Sequence, residues 1–251
     1  PVPAAESARG GRIARVIRRA TEPWRLRAEE ERRVVDETIP AAAREELPVV
    51  AARLGRPLDD AHRRDVLKRT NGWPMRWHSS WTYKDHPDHL GIPDGHFRHD
   101  FGIRLMVKPG WRRIADLTLH YRVLFAHEYT HWLQDEGLVT ERWGGEPPAV
   151  ASEILRAIEL AGLPAVEAGR VPTVHEGNLS NFRAGREWAR SGGKSDPFVV
   201  YRRGGLAGMA YEAGVLAGRP EAAWEFLGMV VSEKNGRTPA EALAAVLKTA
   251  R

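Results

Sequence analysis

His127, Glu128 and His131, in the string His127-Glu128-Tyr129-Thr130-His131, are the residues of this 251-residue chain whose types and spacing point most directly to chemistry. Histidines four apart on a helix project from one face about one turn from each other, so both imidazoles reach a single ion at roughly 2.0–2.1 Å. Glu128 is turned by about 100° from His127, which sets its carboxylate beside such an ion, where it takes a proton from a water on the metal. A catalytic zinc takes three protein ligands and keeps a fourth position for water. Two acids compete for the third place. Glu153, favoured, borders the apolar stripe Val150, Ile154, Ala157, Ile158 and Ala161 of the next expected helix. Glu146, in Trp143-Gly144-Gly145-Glu146, is nearer in sequence but reads as part of a loop, because two prolines follow it. Asp135, one turn past His131, is expected to orient that histidine from the second layer, and Glu159 to face the other side of its helix. The alternative to a metal is a pair of hydrogen-bonded core histidines with Glu128 reaching Arg122.

The elements that must position these groups follow from periodicity. Between Ala115 and Glu136 nothing breaks a helix, and Leu117, Leu119, Tyr121, Val123, Leu124, Phe125, Ala126, Tyr129, Trp132 and Leu133 cover nearly every face. The motif therefore lies on a buried helix, where two histidines and a glutamate are costly without a partner. A second helix opens at Pro147-Pro148 and closes at Gly162. Phe101–Val107 alternates apolar with small or charged residues before Pro109-Gly110, the pattern of a half-buried strand to which an extended substrate could add itself. Upstream, residues 1–11 read as a loose arm, and Ile13, Val16, Ile17 and Ala20 form one stripe of a short arginine-rich helix. Residues 25–54 are helical but divided by Pro40 and Pro48, and a helix over 58–69 is stopped by Asn71-Gly72. Segment 73–100, with Trp73, Trp77, Trp81 and five of the ten histidines, reads as loops. So does 163–197, whereas 199–217, 220–232 and 239–250 look helical.

Composition bounds the function classes. A hydrophobic share of 42% with 28% charge excludes collagen-like, coiled-coil and wholly disordered chains. No apolar run approaches the roughly 18 residues of a transmembrane helix. The absence of cysteine removes disulfides, thiolate ligands and cysteine nucleophiles, and leaves the compartment open. Residues 1–33 hold nine arginines against five glutamates, which accounts for +4 of the net charge of +5. This concentration marks residues 12–33 as a candidate contact for an anionic partner. No nucleic acid is expected, since no basic face interleaved with aromatics is discernible.

The stretch LFAHEYTHWLQDEGL (124–138), with an apolar strand before it and a glutamate-bearing helix after it, resembles the gluzincin branch of zincin metallopeptidases. YRRGGLAGMAYEAGVLAGRPEAAWEFL (201–227) and TPAEALAAVL (238–247) resemble the C-terminal helices of peptidase-MA-like proteins, so that the likeness spans about residues 95–250. It implies zinc held by His127, His131 and Glu153, with Glu128 as general base. Such families often show Trp-x-x-Glu-Gly around the third ligand, which Trp143-Gly144-Gly145-Glu146-Pro147 matches in part, so Glu146 remains the alternative. It also implies a Tyr or His donor to the oxyanion across the cleft: Tyr201, which heads a Tyr-x-x-Gly segment, or else Tyr211 or His175. The metzincin pattern is excluded, because no histidine follows at the required spacing. The expected molecule is an α+β, predominantly helical protein. An N-terminal arm and helical extension (1–70) would precede a zincin-like metallopeptidase domain (71–251) whose small sheet includes 101–107. It would hydrolyse peptide bonds in peptide or protein substrates; the alternative is a zinc-binding regulatory protein that hydrolyses nothing, against which the intact Glu128 argues.

Overall fold

A computed structural model describes residues 28–74, 95–107, 116–142, 144–194 and 202–250. The arginine-rich helix, Trp77, Trp81, His78, His86, His89, Trp143 and Tyr201 lie outside them. The chain is mostly helical, 66%, with a small three-stranded mixed sheet, as an α+β, predominantly helical protein. No helix among the described residues is long and apolar enough to cross a membrane.

Helix α1 (Ala28–Arg33) passes through a π-helical turn, Val34–Thr38, into α2 (Ile39–Arg53). Pro40 comes just after the π-helical turn and Pro48 is accommodated inside α2, so neither proline divides the helix. The buried residues Ile39, Ala42, Ala43, Glu46, Leu47, Val50 and Ala51 follow helical spacing. After Gly55, α3 (Asp60–Lys68) starts at Asp59, whose carboxylate accepts the His62 N–H at 2.8 Å.

The sheet holds two strands that the sequence reads as a helix stop and as a loop. Strand β1 (Thr70–Pro74) contains Asn71-Gly72, and β2 (Gly95–Arg98) lies in the histidine-rich segment. Glycine suits both positions because of what lies underneath: a Cβ at Gly72 would stand 2.8 Å from Ile39 Cδ1 and 3.0 Å from the Val35 backbone. Strand β3 (Gly102–Val107) is the expected one, and it is central, parallel to β1 and antiparallel to β2. With both of its edges paired it cannot take a substrate as a further strand; β2 is the outer strand on that side among the described residues.

Helix α4 (Leu117–Asp135) carries the histidine motif, capped by Asp116, which accepts the Leu119 N–H at 2.9 Å. It packs between α2, β2, β3 and the following helix, α5 (Glu146–Ala161), so residues on almost every side of it are buried. The segment expected to be loop-rich holds α6 (Leu163–Glu167) and α7 (Glu176–Arg190). Helices α8 (Gly205–Ala217), α9 (Ala222–Val231) and α10 (Pro239–Thr249) complete the fold, the last opened by a reciprocal Thr238–Glu241 cap. Helices α7 and α8 approach at backbone distance. A Cβ at Gly208 would fall 1.9 Å from the Phe182 carbonyl oxygen, and one at Gly185 would fall 2.1 Å from that of Gly205.

Candidate metal centre

The Nε2 atoms of His127 and His131 stand 3.2 Å apart, and the order of hydrogen bonds behind them decides what that distance means. His127 Nδ1 lies 2.8 Å from Glu153 Oε2, an acceptor, so Nδ1 carries the hydrogen. His131 Nδ1 lies 2.7 Å from Gln134 Oε1. The amide of Gln134 is not free to flip, because its Nε2 donates to the Gly145 carbonyl at 2.9 Å, so Oε1 must face the imidazole and His131 Nδ1 is also a donor. In the neutral rings both Nε2 atoms then hold lone pairs aimed at each other, an arrangement that only a shared proton or a cation relieves. Two bonds of 2.0–2.1 Å at a tetrahedral angle place their donor atoms about 3.3 Å apart.

Glu146 supplies the oxygen that completes this convergence. Its Oε2 is 3.8 Å from His127 Nε2 and its Oε1 3.9 Å from His131 Nε2. His127, His131 and Glu146 form the one group of three potential ligands found among the described residues, with one ligand atom from each lying within 4.8 Å of the others. Glu146 is not in a loop: it is the first residue of α5. The turn that returns it to the histidines passes through Gly144, at φ 80°, and Gly145, whose carbonyl accepts the Gln134 amide. Pro147 and Pro148 then suit the first helical turn.

Glu153 lies seven residues further along α5, two turns deeper on the same side, and is 4% exposed. It reaches the Nδ1 side of His127, not the Nε2 side. Asp135 does not orient His131, the place Gln134 occupies; it receives a 2.7 Å bond from His99 Nδ1. Arg122 is engaged with Glu45 and Glu46 and not with Glu128. Glu159 pairs with Arg53 and Arg156, away from the histidines.

Glu128, 3% exposed, faces the sheet. A Cβ at Gly95 would stand 2.8 Å from Glu128 Oε1, so the outer strand lies directly against this carboxylate. Behind the motif, Tyr129 is fully buried with its hydroxyl 2.8 Å from His62 Nε2, and Trp132 donates to Glu136 at 3.1 Å. These contacts fix the rotation of α4 about its axis.

Charge follows the geometry. Burial pulls the His127 pKa down, but the bond to Glu153 and the charges of Glu153, Glu128 and Glu146 outweigh it and raise the value to about 9. Burial and the neighbouring His127 charge lower that of His131. One proton is thus held where three donors converge. At the rim, Arg203 brings its Nε to 3.8 Å from Glu146 Oε2. Of the oxyanion candidates, Tyr201 lies outside the described residues. Tyr211 packs on Phe182 at 5.8 Å between ring centres, beneath the Arg186 guanidinium, and His175 is the exposed residue preceding α7.

The sequence reading missed Gln134, Gly95, Gly145 and Arg203. Gln134 alone left a plain signal, a glutamine three residues after His131 on the same helical face. Comparison of the chain with known families, curated proteins and solved structures found no match.

Proposed function

We propose that this chain is a zinc-dependent peptidase with a zincin-like catalytic centre, and that His127, His131 and Glu146 hold the cation. The observation that carries the reading is the convergence of the two Nε2 lone pairs at 3.2 Å, each ring fixed from behind by an acceptor on Nδ1. The donor set of two imidazoles and one carboxylate suits zinc and leaves a coordination position open. Glu153, read from the sequence as the third ligand, instead positions His127 and strengthens it as a donor. When bound, the cation supplies Lewis acidity toward a carbonyl oxygen and toward water.

The chain's own residues do the rest. Glu128 accepts a proton at its carboxylate and returns it to the leaving amine, a role that needs a carboxylate beside the ligand set and not within it. Among the described residues, strand β2 offers the outer edge along which an extended peptide is aligned, with Gly95 allowing the backbone to approach Glu128. Arg203 borders the ligand set, and Tyr201 stays the oxyanion donor of this reading on the resemblance alone.

Glu128→Gln tests the reading. It should keep stoichiometric zinc and the fold while lowering peptide hydrolysis by about 10²–10⁴-fold. Retained zinc with hydrolysis equal to that of the wild type would show that Glu128 is not the base. Absence of any hydrolysis by the wild type across a broad peptide library would favour the zinc-binding, non-hydrolytic protein.

A further inference from the structure

The face of the sheet turned away from α4 carries a charged group that the proposed peptidase chemistry does not use. Gly72 and Gly95 project toward α2 and α4, so their neighbours Asn71 and His96 point to the opposite side, where both are in register with Arg104 of the central strand. Asn71, Arg104 and His96 therefore form one row across all three strands. The Arg104 guanidinium carbon lies 3.9 Å from the centre of the Trp73 ring and 3.5 Å from that of Phe101. Trp73 is 43% exposed, a large aromatic left in solvent, and His96 meets Phe101 edge-on at 5.2 Å.

What singles out Arg104 is its lack of an answering charge among the described residues. The neighbouring cations are satisfied: Arg98 pairs with Asp100 at 3.1 Å and Arg69 with Asp65 at 3.4 Å. Arg104 has neither an ion-pair partner nor a hydrogen-bond acceptor among the described residues. The Trp73 and Phe101 rings hold the guanidinium in place, which leaves its N–H edges pre-oriented for a bidentate acceptor. Asn71, on one side, adds an amide donor. His96, on the other, is held neutral by burial and by Arg104 and Arg98, and so adds an N–H without a second charge.

We infer that this face docks an acidic segment of a protein partner, one of whose carboxylates is taken bidentately by Arg104 between Asn71 and His96. A single uncompensated cation matches one carboxylate. A polyphosphate backbone would need a spread of free cations, and would meet the carboxylates of Asp100 and Asp65 beside them. The exposed Trp73 supplies apolar contact for the side chain next to the acid.

The test is fluorescence anisotropy with a fluorescein-labelled hexaglutamate amide and, separately, a fluorescein-labelled heptathymidylate, whose six phosphodiesters match the peptide's charge, at physiological salt. The full chain is used, with circular dichroism showing that each variant is folded. The wild type should bind the peptide more tightly than the oligonucleotide. Arg104→Gln should weaken peptide binding by about tenfold or more, and Arg104→Lys should fall close to it, since a lysine keeps the charge but loses the fork and the ring contacts. If Arg104→Gln does not fold, Asn71→Ala, at an exposed position, carries the test with a several-fold loss. Peptide binding that survives in these variants, or is absent in the wild type, overturns the proposal. An Arg104-dependent preference for the oligonucleotide overturns it in favour of nucleic acid.

Discussion

Glu146 and Glu153 lie seven positions apart on one side of α5, and the apolar stripe that favoured Glu153 in the sequence does not show which of the two carboxylates reaches the Nε2 atoms of the proposed metal centre. The choice is made by Gly144, whose positive φ folds the chain back so that Glu146 opens the helix beside the imidazoles while Glu153 lies behind them. Glu146→Ala should therefore lower zinc affinity more than Glu153→Gln, for which a loss of about 10–100-fold is the usual cost of removing an orienting partner. Competition titrations on folded variants decide the matter, and the reverse order would restore Glu153 as the ligand. The His127 pKa yields a second expectation with an unambiguous sign. Raised to about 9, it keeps His127 protonated in the metal-free protein at neutral pH, so zinc must displace that proton. Apparent affinity should then rise by about tenfold per pH unit toward pH 9 and level off above it. In the metal-free protein the same shift works in the opposite direction, stabilising the fold at low pH and losing that contribution as pH rises through about 9. A flat affinity profile between pH 6 and 8 would mean that His127 is already neutral. The convergence of the two imidazoles was legible from spacing alone, whereas it is Gln134 and not the adjacent Asp135 that holds His131, because His99 draws Asp135 away.

At the scale of elements, what the sequence conveyed well was what repeats. Helices α4, α5, α9 and α10 follow from the sequence within a few residues, as does the end of α8, which starts six residues later than expected, and β3 follows from alternation. Strands β1 and β2 did not, because each contains a glycine that reads as a breaker but is there to let the strand lie close to a helix. Helix α7 was hidden in the same way: Gly177 and Gly185 interrupt its pattern, yet Gly185 is the point where α8 approaches. These glycines lead to an expectation for β2. Replacing Gly95 with alanine puts a methyl group 2.8 Å from Glu128 Oε1, so either the carboxylate turns or the strand retreats. Hydrolysis should fall by about tenfold or more, in line with the sensitivity of general-base geometry, while zinc affinity stays within a few-fold of the wild type. Metal content measured alongside turnover separates this from damage to the ligand set; unchanged turnover would detach β2 from the chemistry.

For the molecule as a whole, the boundary near residue 70 expected from the sequence meets a core that runs across it. Val34, Ile39, Leu47, Val50 and Val66 belong to the same buried cluster as Tyr121, Phe125 and Ile154. A fully buried carboxylate, Glu46 of α2, receives Arg122 of α4 and Arg156 of α5, and Arg156 continues to Glu159, which accepts the Trp224 indole N–H of α9. Removing one partner of such a group costs about 3–5 kcal/mol, since it strands the remaining charges. A chain reduced to residues 71–251 would lose Glu46, lose His62 behind Tyr129, and lose five large aliphatic side chains worth about 1.5–3 kcal/mol each. Against a net stability of roughly 5–15 kcal/mol, that is too much for the rest to withstand. The shortened chain should therefore show no cooperative thermal transition and no saturable zinc binding, where the full chain shows both. A cooperative transition together with wild-type zinc affinity in residues 71–251 would instead make the first seventy residues an extension packed on a self-sufficient catalytic domain.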